Sequence, residues 1–224
     1  MTNLANLKLN EKRTGKYKII TAILIVLMIA AISTACGSSD QQATGGTDST
    51  TAGPLDPNGE IFADGTYIVG KDLQSGLYRV ALTDTLTKVG YVERAKDANM
   101  ELSSILANVS YSGNGYIKIL DTDAAIKIKG VEIQPINIED IVPAIQTEVK
   151  GGMYLIGYDL APGTYDVAIT DMATNSGIIQ RLSGVSVNPE EILSNDIISK
   201  SGTIKIEEGD FAVLIQGVKI TLQK

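Results

Sequence analysis

Histidine and tryptophan are absent from this 224-residue chain, and it has a single cysteine, Cys36. The lack of histidine excludes Ser-His-Asp and Cys-His catalysis and the usual zinc sites. Because Cys36 ends an apolar N-terminal segment, the region after it has no thiol nucleophile and no disulfide. A carboxylate-pair hydrolase or a Ser/Lys dyad stays open, but no residue pattern favours either. We therefore predict a protein that is not an enzyme and has no cofactor.

Phosphate-binding loops and basic patches are also missing. The glycines at Gly113 and Gly115 precede a predicted strand rather than a helix, so they indicate a turn. Residues 1–35 hold five of the 19 Lys and Arg and one of the 26 Asp and Glu, so residues 36–224 carry a formal net charge of −11. This charge repels phosphate backbones at long range, and we predict no nucleic-acid partner.

The N-terminus carries an export signal. Lys12, Arg13, Lys16 and Lys18 precede Ile19–Ile32, an apolar run of 14 residues in which only Thr21 is polar. A basic flank followed by such a run is typical of a secretory signal. The sequence Thr34-Ala35-Cys36-Gly37 resembles the lipobox of bacterial lipoproteins, although Ser33 stands where that motif has an aliphatic residue. The resemblance implies lipidation at Cys36, and the alternative is an uncleaved membrane anchor.

The chain matches itself at a fixed offset of 87 positions. The segment 65–73 reappears at 152–160, and the match continues without a gap to Ile133 and Ile220. The predicted organisation is a lipoprotein signal peptide at 1–35, a flexible polar tether at 36–62, a first β-repeat at 63–136, a linker at 137–149 and a second β-repeat at 150–224.

Apolar and polar residues alternate with a period of two in both copies, which predicts half-buried strands. The fold class is therefore all-β, with two tandem small antiparallel sandwich or barrel-like repeats. The alternation changes phase at Gly130 and Gly217, which predicts a bulge or a sharp bend at both glycines. The segments 121–123 and 207–210 are predicted hairpin turns. Short helices are expected at 188–193 and, on weaker signals, at 99–106, and the apolar linker is expected to pack.

The pattern Gly-x-Tyr-x-Val-Gly-x-Asp-Leu-x-x-Gly-x-Tyr-x-Val at Gly65–Val80 resembles a repeat of an uncharacterised family of exported Gram-positive proteins and lipoproteins. The second copy, with Leu160-Ala161-Pro162-Gly163-Thr164-Tyr165, is similar. The resemblance covers most of residues 63–224. It implies a β-rich protein at the cell surface and carries no activity that could be assigned to a residue.

Repeated aspartates and unmatched tyrosines are the candidate ligand residues. Asp72, Asp159, Asp84 and Asp171 recur in both copies, and turn aspartates can supply oxygen ligands to calcium. The favoured interpretation is that Asp72 and Asp159 form Asx-turns before Gly76 and Gly163, so no metal site is predicted. The tyrosines that recur in both copies, which are Tyr67, Tyr78, Tyr154 and Tyr165, are expected to pack in the core or at sheet edges.

Tyr91, Tyr111 and Tyr116 have no aromatic counterpart in the second copy. They either form a ligand face on the first copy or reflect divergent packing, which we favour. The predicted function is a membrane-anchored, non-catalytic cell-surface lipoprotein of unknown ligand that binds a cell-wall, matrix or protein partner or has a structural role in spacing other components. It would act at the extracytoplasmic face of the membrane. The alternative is an accessory lipoprotein that captures a small ligand or a metal.

Overall fold

The structure, a computed structural model, describes residues 59–83 and 89–224, and all long elements in them are strands. In the first repeat they are β1 (Gly65–Ile68), β2 (Gly76–Leu82), β3 (Gly90–Ala95), β4 (Ile105–Tyr111), β5 (Gly115–Ile119), β6 (Ala125–Lys129) and β7 (Val131–Ile136). In the second they are β8 (Glu148–Leu155), β9 (Gly163–Ile169), β10 (Gly177–Leu182), β11 (Ile192–Ile198), β12 (Gly202–Ile206) and β13 (Ala212–Leu222). The all-β prediction is confirmed.

The two copies have the same topology. In the first, one antiparallel sheet has the order β1-β6-β3-β4 and a second has the order β5-β2-β7. In the second copy, β13 takes the places of both β6 and β7. It therefore joins the corresponding strands into one sheet of order β11-β10-β13-β9-β12, with β8 also paired to β13. Strands β2 to β5 map onto β9 to β12 residue for residue at the offset of 87.

A bend at Gly130 and Gly217 connects the two halves of each repeat. Both glycines have a left-handed backbone, with φ of 68° and 67°, which residues with a Cβ adopt rarely. Strand β6 ends just before Gly130, and the ladder between β13 and β8 shifts register between Ile215 and Lys219. The predicted bend is confirmed, and it allows one stretch of chain to pair with strands of both halves.

The acidic turns at 121–123 and 207–210 are turns but not hairpins. Strand β5 pairs with β2, whereas β6 pairs with β1 and β3, so the first turn carries the chain from one sheet to the other. In the second repeat β12 and β13 lie in one sheet, but β12 pairs with β9 and β13 pairs with β8, β9 and β10, so the second turn also joins strands that do not pair with each other. The hairpin prediction was wrong because sequence alternation identifies strands but not their partners.

The predicted helices are single 3₁₀ turns, at Leu102–Ser104 and Pro189–Glu191, and a third lies at Ile138–Asp140 in the linker. The prediction that the linker packs holds only for part of it. Ile141 packs against the core, but the side chains of Val142 and Ile145 are exposed. The rest of the linker is held by main-chain bonds from Ala144 and Gln146 to the loop after β8.

Two predicted boundaries differ from the structure. Phe62, placed at the end of the tether, is buried and exchanges two main-chain hydrogen bonds with Ile133. Strand β8 begins at Glu148, inside the predicted linker. Both differences arise because isolated residues beside a sheet gain main-chain pairing that their own sequence does not signal.

The core extends across the boundary between the repeats, which belong to one compact unit. One cluster combines residues of the first repeat, such as Tyr111 and Ile117, with Met153, Leu155 and Leu214 of the second. Another lies within the second repeat. A repeat of this size has a marginal core by itself, so the shared cluster supplies burial that neither copy provides alone.

Within the described ranges 59–83 and 89–224, no helix has the length and apolar character that crossing a membrane requires. Cys36, the predicted signal peptide, the tether up to residue 58 and Asp84 lie outside these ranges. The predictions made for them stay predictions.

Candidate binding groove between the repeats

The tyrosines that recur in both copies are structural. In each of the four, the phenol donates a hydrogen bond to the carbonyl oxygen four residues earlier, for example from Tyr78 to Gln74 at 2.7 Å and from Tyr165 to Ala161 at 2.7 Å. Tyr78 and Tyr165 are buried, and burial raises the pKa of Tyr78 to about 12. The prediction of core or edge packing is confirmed.

Tyr111 and Tyr116 do not form a ligand face. Both are buried at the junction of the repeats, which agrees with the favoured interpretation of divergent packing, whereas Tyr91 is half-buried. The Tyr116 phenol lies 3.4 Å from the Oδ1 of Asp159 in the other repeat. Burial, followed by the charge of Asp159, raises the pKa of Tyr116 to about 12.

The repeated aspartates bind main chain. Asp72 and Asp159 accept hydrogen bonds from the amides of Ile68 and Leu155, four residues earlier, at 2.9 and 2.8 Å. The predicted local role is confirmed, but the bond runs backward rather than forming an Asx-turn toward the following glycine. Asp171 accepts bonds from the hydroxyl of Thr174 and from the amides of Thr174 and Ala173, which lower its pKa. Among the described residues, no group of three or more His, Cys, Asp or Glu side chains could hold a metal ion.

A buried arginine links the two repeats. Arg94 is 1% exposed and forms a bidentate ion pair with Asp123, at 2.6 and 2.8 Å. Its remaining nitrogen, Nη1, donates to the carbonyl of Ser186 and, at 2.9 Å, to the Oδ1 of Asn188. The amide of Lys118 donates to the carbonyl of Val185 at 2.9 Å. We call residues 183–188 the junction loop, because these bonds hold it against the first repeat.

In the described ranges, no loop of the first repeat bonds to the equivalent arginine of the second repeat. Arg181 pairs with Asp210 at 2.7 and 2.8 Å, but the arginine side chain is 22% exposed. Arg94 and Arg181 are 87 positions apart and therefore equivalent in the two copies. Both copies have an arginine in one strand and an aspartate 29 residues later. This shared spacing is the sequence signal that could have revealed the two ion pairs.

Sequence differences between the copies mark the interface. Met153 and Leu214 are buried at the junction, and their counterparts Thr66 and Lys127 are exposed. Conversely, buried Tyr116 of the first copy corresponds to the exposed Thr203. Each repeat is therefore apolar on the side that meets the other and polar on the side that does not, as in terminal members of repeat proteins. Comparing the copies position by position would have predicted this interface.

A groove of about 580 Å³ lies where the repeats meet. Its floor contains Leu77, Lys118 and Ile136, which are cross-strand neighbours in the sheet β5-β2-β7. The facing wall comes from the second repeat, with Glu191 and Phe211 beside the junction loop. The volume falls in the range typical of small-molecule sites, and the mixture of apolar walls with a few polar groups is also typical of them.

Two charged side chains of opposite sign line this groove. The Oε2 atom of Glu191 is buried and has no hydrogen-bond partner among the residues that the structure describes. Its carboxylate packs against Gly184, where a Cβ would lie 2.5 Å from Oε1. Lys118 is exposed, and its side chain forms no ion pair with any residue in the described ranges. The arrangement can bind a ligand that has both an apolar body and charged groups.

The fold defines a class of tandem β-repeat modules with a groove at the repeat junction. A family model for the Rv1352-like extracellular domain matches the chain twice, at residues 59–132 and 144–217. These two matches cover more than half of the sequence, and the chain belongs to this extracellular domain family. Neither a curated protein nor a solved structure matches it.

Proposed function

We propose that this chain is a membrane-anchored, non-catalytic extracellular module that binds a cell-wall, matrix or protein partner through the groove between its repeats. The supporting observation is the composition of the groove. Leu77, Ile136, Glu191 and Phe211 correspond to Thr164, Gln223, Ser104 and Ala124 in the other copy. Because both copies adopt the same fold, that fold does not demand the groove residues.

Sequence features support the location. The basic flank, the apolar run and Cys36 are those of a lipoprotein leader, and the family is extracellular. Two acyl chains at Cys36 would anchor the protein stably, because each buried methylene contributes about 0.8 kcal/mol. The net charge of −11 after residue 35 makes an anionic partner unfavourable unless a cation bridges the two.

Lipidation makes a direct prediction for the precursor. Replacing Cys36 by serine should block maturation and leave a slower band that lacks lipid, whereas globomycin, which inhibits cleavage of the leader, should leave a slower band that still carries lipid. The measurement is electrophoretic mobility together with incorporation of a radiolabelled fatty acid. Unchanged mobility and labelling in the Cys36→Ser variant would refute lipidation at this residue.

A photo-crosslinking comparison tests whether the groove is the binding surface. A photoreactive amino acid at position 118 should give adducts with envelope components in intact cells. The matched control is position 205, the equivalent exposed lysine on the second repeat, which should give few or none. Equal adducts from both positions, or none from position 118, would contradict binding through the groove.

The dimensions of the groove support a second candidate function, capture of a small ligand by an accessory lipoprotein. A cleft of about 580 Å³ suits a small molecule better than an extended polymer.

A further inference from the structure

We propose that the groove binds a short peptide with free termini and an apolar side chain. The peptide ammonium pairs with Glu191, its carboxylate lies toward Lys118, and the side chain rests on Leu77, Ile136 and Phe211. This proposal rests on the second candidate function above, capture of a small ligand through the groove, and gives it a ligand class.

The carboxylate of Glu191 is a hydrogen-bond acceptor, and no described residue donates a hydrogen bond to its Oε2 atom. Its Oε2 is shielded from solvent and unpartnered, and a buried carboxylate oxygen in that state is costly. The corresponding residue of the first repeat is Ser104, whose hydroxyl bonds to the carbonyl of Glu101 at 2.7 Å. The fold is thus satisfied by a short hydroxyl side chain at this position. An ammonium group in the groove would form a charge-assisted hydrogen bond to the Glu191 carboxylate once a rotation of that group turns Oε2 toward the ligand.

The ammonium group of Lys118 forms no ion pair with any described residue. The equivalent Lys205 pairs with Glu207 at 2.9 Å. The position that corresponds to Glu207 in the first repeat is Leu120, so Lys118 has no such intra-repeat partner. Because its main-chain amide is bonded to Val185, the strand that carries Lys118 is fixed against the junction loop. The lysine is therefore held at the groove with its charge available to a ligand.

The apolar lining and the charge of the protein favour a zwitterion. Leu77 and Phe211 are partly exposed within the groove and would gain burial from an aliphatic or aromatic ligand side chain. The net charge of −11 repels ligands that are purely anionic. A ligand with one charge of each sign avoids this repulsion and matches both groove charges. The volume accommodates a di- or tripeptide.

The test is calorimetric titration of the full chain in lipid nanodiscs with tri-leucine, with empty nanodiscs as the blank. We expect saturable binding that weakens about tenfold or more in Glu191→Gln, and similarly in Lys118→Met. The matched controls, Glu190→Gln on the adjacent exposed carboxylate and Lys205→Met on the second repeat, should bind as the wild type does. Glu191→Ser is a second variant that removes the same carboxylate. It installs the residue that the first repeat has at the equivalent position, Ser104, so the repeat fold accommodates it.

Two blocked peptides test which groove residue binds which peptide terminus. N-acetyl-tri-leucine lacks the terminal ammonium, and tri-leucine amide lacks the terminal carboxylate. N-acetyl-tri-leucine should bind weakly to the wild type, and Glu191→Gln should weaken its binding no further. Tri-leucine amide should also bind weakly to the wild type, and Lys118→Met should weaken its binding no further. The inference is overturned if tri-leucine fails to bind at millimolar concentration, or if blocking its termini changes nothing. An adduct at position 118 together with no tri-leucine binding would overturn this ligand class while leaving the proposed binding module intact.

Discussion

Replacing Arg94 by methionine should lower the free energy of unfolding of residues 37–224 by about 3–5 kcal/mol. The substitution leaves Asp123, which is 4% exposed, as a buried carboxylate without its cation. It also removes the donors that hold the carbonyl of Ser186 and the side chain of Asn188. The measurement is urea denaturation followed by far-UV circular dichroism.

Arg181→Met is the matched control for this prediction. The arginine occupies the same place in its repeat and makes the same bidentate pair, but its side chain is 22% exposed and has no loop of the other repeat across it. Water can therefore reach Asp210 when the arginine is lost, and the expected loss of stability is distinctly smaller. Equal losses in the two variants would show that the bonds between the repeats contribute little.

Adding one methyl group at the junction should also be strongly destabilising. A Cβ at Gly113 would lie 2.0 Å from the carbonyl oxygen of Gly151, and one at Gly115 would lie 2.8 Å from the ring of Tyr111 and 2.9 Å from Met153. Gly151 lies in strand β8 between Lys150 and Gly152, which both pair with β13, so its main chain has little room to move. We expect Gly113→Ala and Gly115→Ala each to lower the free energy of unfolding by about 1–3 kcal/mol or more.

The second repeat offers the control for these glycines. Gly202 occupies the position that corresponds to Gly115, and a Cβ there would meet no heavy atom within 4 Å. Gly202→Ala should leave stability unchanged or raise it by up to about 1 kcal/mol, because alanine restricts the unfolded chain. Thermal or urea denaturation of the three variants gives the comparison. A loss in Gly202→Ala as large as in Gly115→Ala would contradict the explanation by contact between repeats.

Local patterns predicted the repeated unit well. Alternation gave the strands, and the change of phase at Gly130 and Gly217 gave the bend, since side-chain direction along a strand depends only on adjacent residues. The acidic turns were located correctly, but the strands they connect pair elsewhere. Pairing depends on residues distant in sequence, such as Tyr67 opposite Ile126, and no alternation pattern contains that information.

The groove could be predicted only in part. Its residues are visible in the sequence as differences between the copies, for example Glu191 against Ser104. Which differences lie together could not be known, because the groove forms from strands of one repeat and a loop of the other. The same holds for Arg94, whose alignment with Arg181 gave no sign that only one of the two contacts the other repeat.

Composition and periodicity were enough to predict an all-β chain with two equivalent copies. They also predict an export leader and a lipid anchor at Cys36. These properties follow from composition and short-range periodicity, which are fixed by neighbouring residues. The folded structure was needed to show that the copies share a core, that Arg94 is buried between them, and that Glu191 and Lys118 line one groove. Those arrangements depend on how two similar surfaces pack, and such packing is set by shape and burial over the whole interface rather than by any local segment.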